Sequence, residues 1–473
     1  MKTIESIRSA LTLPDLRRRI LITIGLLIVY RLAANIPVPG VDLDAWFQLT
    51  GGGATIEGGL LGVLNLLSGG AVGNFSVIAM GVYPYITASI IIQLLTPIIP
   101  YLEELSQEGE QGRNQITRIT YYLTVPLAIA QAVGQIRLIG LTYGSGEDIL
   151  SFIMPNFGFT AVENILPTIT TITAMVAGTM FAVWLGEQIT ESGIGQGISL
   201  IIFGGIASQI PLNLLNLYQV TSDDVINRVI SFTAFIVLTV VTVLAIVVVQ
   251  EGERRVPVQY GRRVRGRKVY QGQSSYVPLK VNTAGMIPII FAQAILTLPP
   301  LLASFFVPTG LPAPDEGFFI GAMRTISEGF NPGANPNVYP IALSIYWLSM
   351  FLFVAAFTFF YTDVMIRQQR IAQNLQQRGG FIPGIRPGKK TSDYIMAVVH
   401  RITLAGAVFL GIVAVLPGIM TLLGELINVA GLTQSANVIN GSGLIIVVGV
   451  VIDTMRQIEA QLIMRNYEST MTG

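Results

Sequence analysis

Residues 164–186 read NILPTITTITAMVAGTMFAVWLG, a run without a charged side chain. At 1.5 Å rise per residue, about 20 apolar residues in a helix cover the roughly 30 Å hydrocarbon core of a bilayer. Working outward, nine further stretches carry the same signature. The ten lie at about 20–36, 75–95, 119–138, 164–186, 196–216, 229–250, 283–306, 340–361, 397–418 and 438–459. Composition agrees: of 473 residues, 52% are hydrophobic and 12% charged, about half the charge of a soluble protein. The expected fold is an all-α polytopic membrane protein with ten transmembrane helices.

The first stretch follows Arg17, Arg18 and Arg19, as a secretory signal would. It runs on to Ile36 and Pro37 without a small-residue cleavage site, so it reads as a retained span. Of the 28 Lys and Arg residues, only Arg31, Arg137, Arg228 and Arg324 fall on one face; the other 24 fall on the opposite one. Excess positive charge marks the cytoplasmic side, which places both termini there.

Several chemistries are excluded. The chain has no cysteine and a single histidine, His400, which rules out disulfides, thiolate metal sites and Ser-His-Asp triads. No catalytic residue, metal or cofactor is expected, and His400 beside Arg401 reads as interfacial. The spans carry no Asp or Glu before Asp453, which is expected to pair with Arg456 one turn on. Their polar residues Thr87, Gln93, Gln131 and Gln293 are uncharged, as helix-packing residues are. An ion-coupled transporter keeps ionisable groups near midplane. The glycines of 193–197 lack the strand and acidic partner of a dinucleotide site, and read as the start of the fifth span.

Three segments are more than connectors. Residues 58–73 (GGLLGVLNLLSGGAVG) are apolar but too short to span; pattern alone fits either a half-helix folded back into the bundle or an interfacial helix. Residues 251–280 hold strand-like runs at 256–260 and 268–277 around a tip, 262–268 (RRVRGRK), with more charge than topology requires. In 367–390, the stretch 379–388 (GGFIPGIRPG) fixes a rigid turn that carries Arg386. Together these features suggest a passive conduit driven by something that docks on the basic loops.

Particular strings then carry a resemblance: YRL at 30–32, IPVPG at 36–40, LSGGA at 67–71, PYITASIIIQLL at 84–95 and EGE at 108–110. They continue with WLGEQITE at 184–191, GIG at 193–195, PLKVN at 278–282, IPIIFA at 287–292 and FIPGIRPG at 381–388. In this order and over nearly the whole chain, they resemble the SecY family of translocase channels. Gln196, Val82, the surroundings of Tyr121 and the loop at 103–111 depart from the usual family pattern.

The resemblance implies two pseudo-symmetric halves, spans 1–5 (20–222) and 6–10 (223–463), between a cytoplasmic segment 1–19 and a tail 464–473. It makes 58–73 a re-entrant plug half-helix with Leu60, Leu61, Val63, Leu64, Asn65, Leu66 and Leu67. It implies a pore ring of Val82, Ile86, Ile198, Ile202, Ile290 and Ile446. A lateral gate between spans two and seven would involve Thr87, Gln93, Gln131, Asn282 and Met286. The motor ATPase SecA or a translating ribosome would dock on loops 251–280 and 365–395, through Arg262, Arg263, Arg265, Arg267, Lys268, Arg386, Lys389 and Lys390. SecE and SecG would be companion subunits. Signal-bearing unfolded polypeptides would be the cargo, and hydrophobic segments would pass sideways into the lipid bilayer. The membrane would be a bacterial plasma membrane or a thylakoid-type one. Val82 with Ile86, and Ile198 with Ile202, are i,i+4 pairs, so each pair occupies one helix face. A ring of aliphatic tips can close to a dewetted constriction. The rivals are a secondary transporter with inverted repeats, disfavoured by the missing midspan acids, and a nucleic-acid-binding module on a membrane anchor, whose binding would be salt-dependent.

Overall fold

The computed structural model describes residues 13–50, 59–143, 152–158, 161–220, 225–260, 263–265, 268–270, 274–307, 317–332, 342–427 and 441–472. In chain order the helices of the first half are α1 (Pro14–Ala33), α2 (Leu43–Thr50), α3 (Gly59–Leu67), α4 (Tyr83–Leu95), α5 (Pro100–Gln107), α6 (Glu110–Tyr143), α7 (Val162–Ser192) and α8 (Gly197–Val220). The second half begins with α9 (Val225–Glu251) and strands β1 (Glu253–Tyr260), β2 (Arg263–Arg265), β3 (Lys268–Tyr270) and β4 (Ser274–Lys280). It continues with α10 (Ile287–Ala303), α11 (Phe318–Gly329), α12 (Ala342–Gln369), α13 (Ile371–Gln377), β5 (Gly380–Phe381), α14 (Lys389–Ile427) and α15 (Gly441–Thr472). Each of the ten apolar stretches overlaps one helix, and the fold is that of an all-α polytopic membrane protein. Among the described residues, Glu110–Thr142, Val162–Ser192, Ile345–Gln377 and Lys389–Leu422 are each long and apolar enough to cross a bilayer alone.

Local chemistry explains the helix starts. Pro14, Pro84, Pro100 and Pro288 occupy first-turn positions, where the missing N–H costs nothing and φ is already helical. The second span departs from its expected bounds of 75–95. Its helix begins only at Tyr83, and it bends by 100° into α5 after Leu95. Residues 75–77 instead pair with the extended chain behind α1: Val38 N donates to Phe75 O at 3.0 Å and Val77 N to Ile36 O at 2.9 Å. These hydrogen bonds displace the helix, because the same backbone groups cannot serve both.

The two basic loops form one unit. β1 lies between β4 and β5 in an antiparallel sheet, with Val256 opposite Val277 and Gln259 opposite Phe381. The run expected at 268–277 is split between β3, which pairs with β2 as a smaller hairpin, and β4. Along β1 the inward side chains Val256 and Val258 are buried, as the two-residue period of a strand requires. They pack with Leu279, Ile366, Leu375, Ile382, Ile395 and Val399 in an apolar cluster separate from that of the bundle. On the outer side, Arg255 donates to Glu253 at 2.7 Å, which raises its already high pKa, and stacks 4.8 Å over Tyr276. Much of the expected loop 365–395 is helical, through α12, α13 and the start of α14; only Arg370 and 378–388 are not. The expected tail 464–473 continues the helix of α15 through Thr472.

This second core gives a direct prediction. Val258→Asp would bury an unpaired carboxylate, which is expected to cost more than about 2 kcal/mol locally. The 378–390 segment should then detach from β1, and trypsin should cut after Arg378 and Lys389 several times faster while the transmembrane helices stay protected.

Candidate functional site

Four of the six expected ring residues meet. Ile86 on α4, Ile198 and Ile202 on α8 and Ile290 on α10 line a cavity of about 130 Å³, with Tyr85, Gln93, Gln196, Ser199, Phe291 and Tyr361 also on its wall. Gln93 lies late in α4, Gln196 just before α8 and Ile287 at the start of α10. Val82, at the N-cap of α4, and Ile446 on α15 do not line the cavity. Both are fully buried in the same apolar cluster as the other four.

That cluster also contains the leucines of α3. At nine residues the helix is only about 13 Å long, and Leu60, Leu61, Val63, Leu64, Leu66 and Leu67 are all buried, Leu61 to 2% exposure. It is thus folded back into the protein and does not lie on a surface. Asn65 is the polar member: its Oδ1 accepts from Gly73 N at 3.0 Å, and its carbonyl accepts from Gly70 N at 2.7 Å. Behind the helix the turn at 68–70 touches α8 so closely that a Cβ on Gly205 would lie 2.1 Å from Gly69 Cα.

α4 and α10, the second and seventh spans, are in direct contact. Tyr83, which the sequence did not single out, joins them: its hydroxyl donates to Ala294 O at 2.8 Å and also meets Thr297 Oγ1. The hydrogen bonds of the expected gate residues run elsewhere. Thr87 accepts from Gln131 Nε2 at 3.3 Å, joining α4 to α6. Gln93 bonds Ser89 on its own helix, Asn282 bonds Gly285 O in its own turn, and Met286 is the N-cap of α10. Gln293 instead ties α10 to Ser442 on α15 at 2.7 Å. The Oε1 atoms of Gln131 and Gln293 are buried and unpartnered among the described residues, so the polar groups near the α4–α10 seam are incompletely satisfied.

The basic surface lies at the other end. Pro383 and Gly384 (φ 80°) form the centre of a turn closed by Ile385 N to Ile382 O at 3.0 Å, the type II geometry that requires a positive φ at its third residue. Thr391 Oγ1 donates to Arg386 O at 2.9 Å and holds the next turn. Arg386, Lys389 and Lys390 are exposed. Arg263, Arg265 and Lys268 belong to β2 and β3; Arg262 and Arg267 lie outside the described residues.

One expected pairing is corrected, and His400 gains a neighbour. Arg456 meets Glu251 on α9 at 2.7 Å rather than Asp453, because the end of α9 packs beside the middle of α15 and offers a carboxylate across helices. His400 is exposed and faces Asp363 at 3.5 Å, a carboxylate it shares with Arg367. The glycine run before α8 behaves as a helix start: Gly195 N donates to Gln457 Oε1 and Ile194 N to Thr23 Oγ1.

A membrane helix bundle with a buried, non-spanning helix beside an aliphatic cavity, and a closed seam between two spans, is the architecture of a gated channel. The sequence matches the SecY family over residues 76–455, and the chain belongs to that family. The protein translocase subunit SecY of Thermus thermophilus is 40% identical to it, over 98% of this chain and 97% of its own length. A solved structure concerned with the plug domain of SecY and the closed state of the translocation channel shares the fold, with a TM-score of 0.60 and 18% identity over 94% of this chain and 92% of that one. So does Sec61 in a canine ribosome-channel complex from the endoplasmic reticulum, with a TM-score of 0.55 and 17% identity over the same shares of each chain. The protein is a multi-pass membrane protein and a protein-conducting channel.

Proposed function

We propose that unfolded polypeptides pass through a waist formed by Val82, Ile86, Ile198, Ile202, Ile290 and Ile446, that α3 plugs it at rest, and that hydrophobic segments leave sideways between α4 and α10. One observation supports this reading: Ile86, Ile198, Ile202 and Ile290, from three different helices, line one cavity and lie in or against the apolar cluster that holds the α3 leucines. Aliphatic tips touch a passing chain without hydrogen-bonding to any particular sequence, and without one they exclude water. The structural relative's plug domain, described as maintaining a membrane seal, is consistent with the same role for α3. Thr87, Gln93, Gln131, Asn282 and Met286 would border the sideways exit.

The basic face is cytoplasmic in this proposal, with both termini on it, in a bacterial plasma membrane or a thylakoid-type membrane. Energy comes from a partner docked on the β1–β4 unit, either the motor ATPase SecA or a translating ribosome, and SecE and SecG complete the complex. Arg263, Arg265, Lys268, Arg386, Lys389 and Lys390, with Arg262 and Arg267, supply the cationic contact. A permanently charged, forked guanidinium on a turn fixed by prolines and glycines suits bidentate pairing with carboxylate or phosphate.

Two experiments test the two ends of the molecule. Arg386→Glu should leave the protein inserted and abundant yet largely abolish partner-driven export, whereas Arg386→Lys is partly tolerated; full export by a normally expressed Arg386→Glu variant contradicts the docking role. Converting Ile86, Ile290 and Ile446 together to Asn offers hydrogen bonds to water at the waist. Resting ion conductance and export of a weak-signal substrate should both rise, and a folded triple variant that raises neither places the pore axis elsewhere.

A further inference from the structure

Four arginines break the charge asymmetry of the chain: Arg31, Arg137, Arg228 and Arg324. Standing opposite the basic loops, they oppose the topology signal rather than strengthen it. The structure gives two of them another task. Arg31, in the last turn of α1, donates from Nη1 to Gly69 O at 2.6 Å and from Nη2 to Gly205 O at 3.4 Å. Its neighbour Tyr30 donates to Ser68 O at 2.7 Å. The turn that follows α3 is therefore fastened through its carbonyls to α1, and the same guanidinium reaches α8. Arg137 on α6 donates from Nη1 to Ser304 O at 3.3 Å and Phe305 O at 2.8 Å, and its guanidinium lies 6.0 Å from the Phe305 ring centroid. Those carbonyls lie just beyond α10, at a helix end that carries partial negative charge and lacks intrahelical donors.

We propose that Arg31 and Arg137 are two clasps of the closed channel: Arg31 pins the turn on which α3 hinges, Arg137 pins the far end of α10 to α6, and both release when polypeptide passes. The inference rests on the reading of α3 as plug and of α4–α10 as lateral gate. Both guanidinium groups are half-buried and bond to backbone, so removing either strips carbonyls of a charged donor in the closed state alone. The two geometries differ in one respect. Both Arg137 bonds come from a single nitrogen, which a lysine ammonium can imitate. Arg31 uses two nitrogens of its fork, one for each of two separate segments, a geometry that a single ammonium nitrogen does not reproduce.

The test is the resting ion conductance of the full chain, purified with the subunits that accompany it and reconstituted in planar bilayers. Arg31→Gln, Arg31→Lys, Arg137→Gln and Arg137→Lys are compared with wild type, and the triple Asn waist variant serves as the control for a leaking pore. Both Gln variants should raise resting conductance about tenfold, the scale of one charge-assisted hydrogen bond. Arg137→Lys should stay near wild type while Arg31→Lys leaks. A leaking control with silent Gln variants overturns the clasps and leaves the pore reading standing. A silent control overturns both. If a Gln variant fails to accumulate, the Lys pair decides: equal conductance from the two Lys variants contradicts the assigned geometry.

Discussion

Residues 68–82 are non-helical backbone enclosed in a membrane bundle, and every peptide group there needs a partner from the protein, because hydrocarbon supplies none. The chain meets this need with a small set of neighbours. Tyr30 and Arg31 bond the carbonyls of Ser68 and Gly69, Asn65 takes the amide of Gly73, and residues 36–38 pair with 75–77. Much else follows from that arrangement. α3 can be short and buried because its far end is tied down. α4 can start deep in the bundle because the strand-like pairing ends just before it. The aliphatic side chains of α4, α8 and α10 then converge on one cavity.

The seam and the basic unit show two different strategies. The α4–α10 contact carries the Tyr83 hydrogen bond, with glutamine oxygens left unsatisfied nearby, a junction suited to the sideways exit proposed above. The β1–β4–β5 sheet has its own apolar core and a turn locked by Pro383 and Gly384. Such rigidity suits the docking role proposed above, because a floppy loop would absorb a partner's motion.

The sequence exposed the apolar helices because long uncharged runs have few alternatives at this length. It also exposed the rigid tip at 379–388, since Pro-Gly pairs dictate their own turns. The start of the second span was hidden: residues 75–82 are as apolar as a helix, and only long-range pairing with 36–38 excludes helical geometry there. The union of the two basic loops was hidden for the same reason, as β1 and β5 are more than 100 residues apart. Asp453 and Arg456 satisfied the local spacing rule, yet Glu251 on another helix is the partner. The ring positions were placed by family resemblance rather than by periodicity, since isoleucines at helical spacing in a membrane protein are ordinary packing residues. Tyr83 carried a faint signal, a hydroxyl within an apolar run, whose partner could be seen only in three dimensions.

The central claim is that polypeptide travels between the aliphatic residues of α4, α8 and α10. The most direct measurement places a photo-crosslinking amino acid, one position at a time, at Ile86, Ile202 and Ile290, and at the exposed bundle positions Leu404 and Val408, with a polypeptide stalled in transit. The account predicts adducts with the stalled chain from the first three positions and none from Leu404 or Val408. Adducts of equal yield from the exposed pair, or none from the three waist positions, would contradict it.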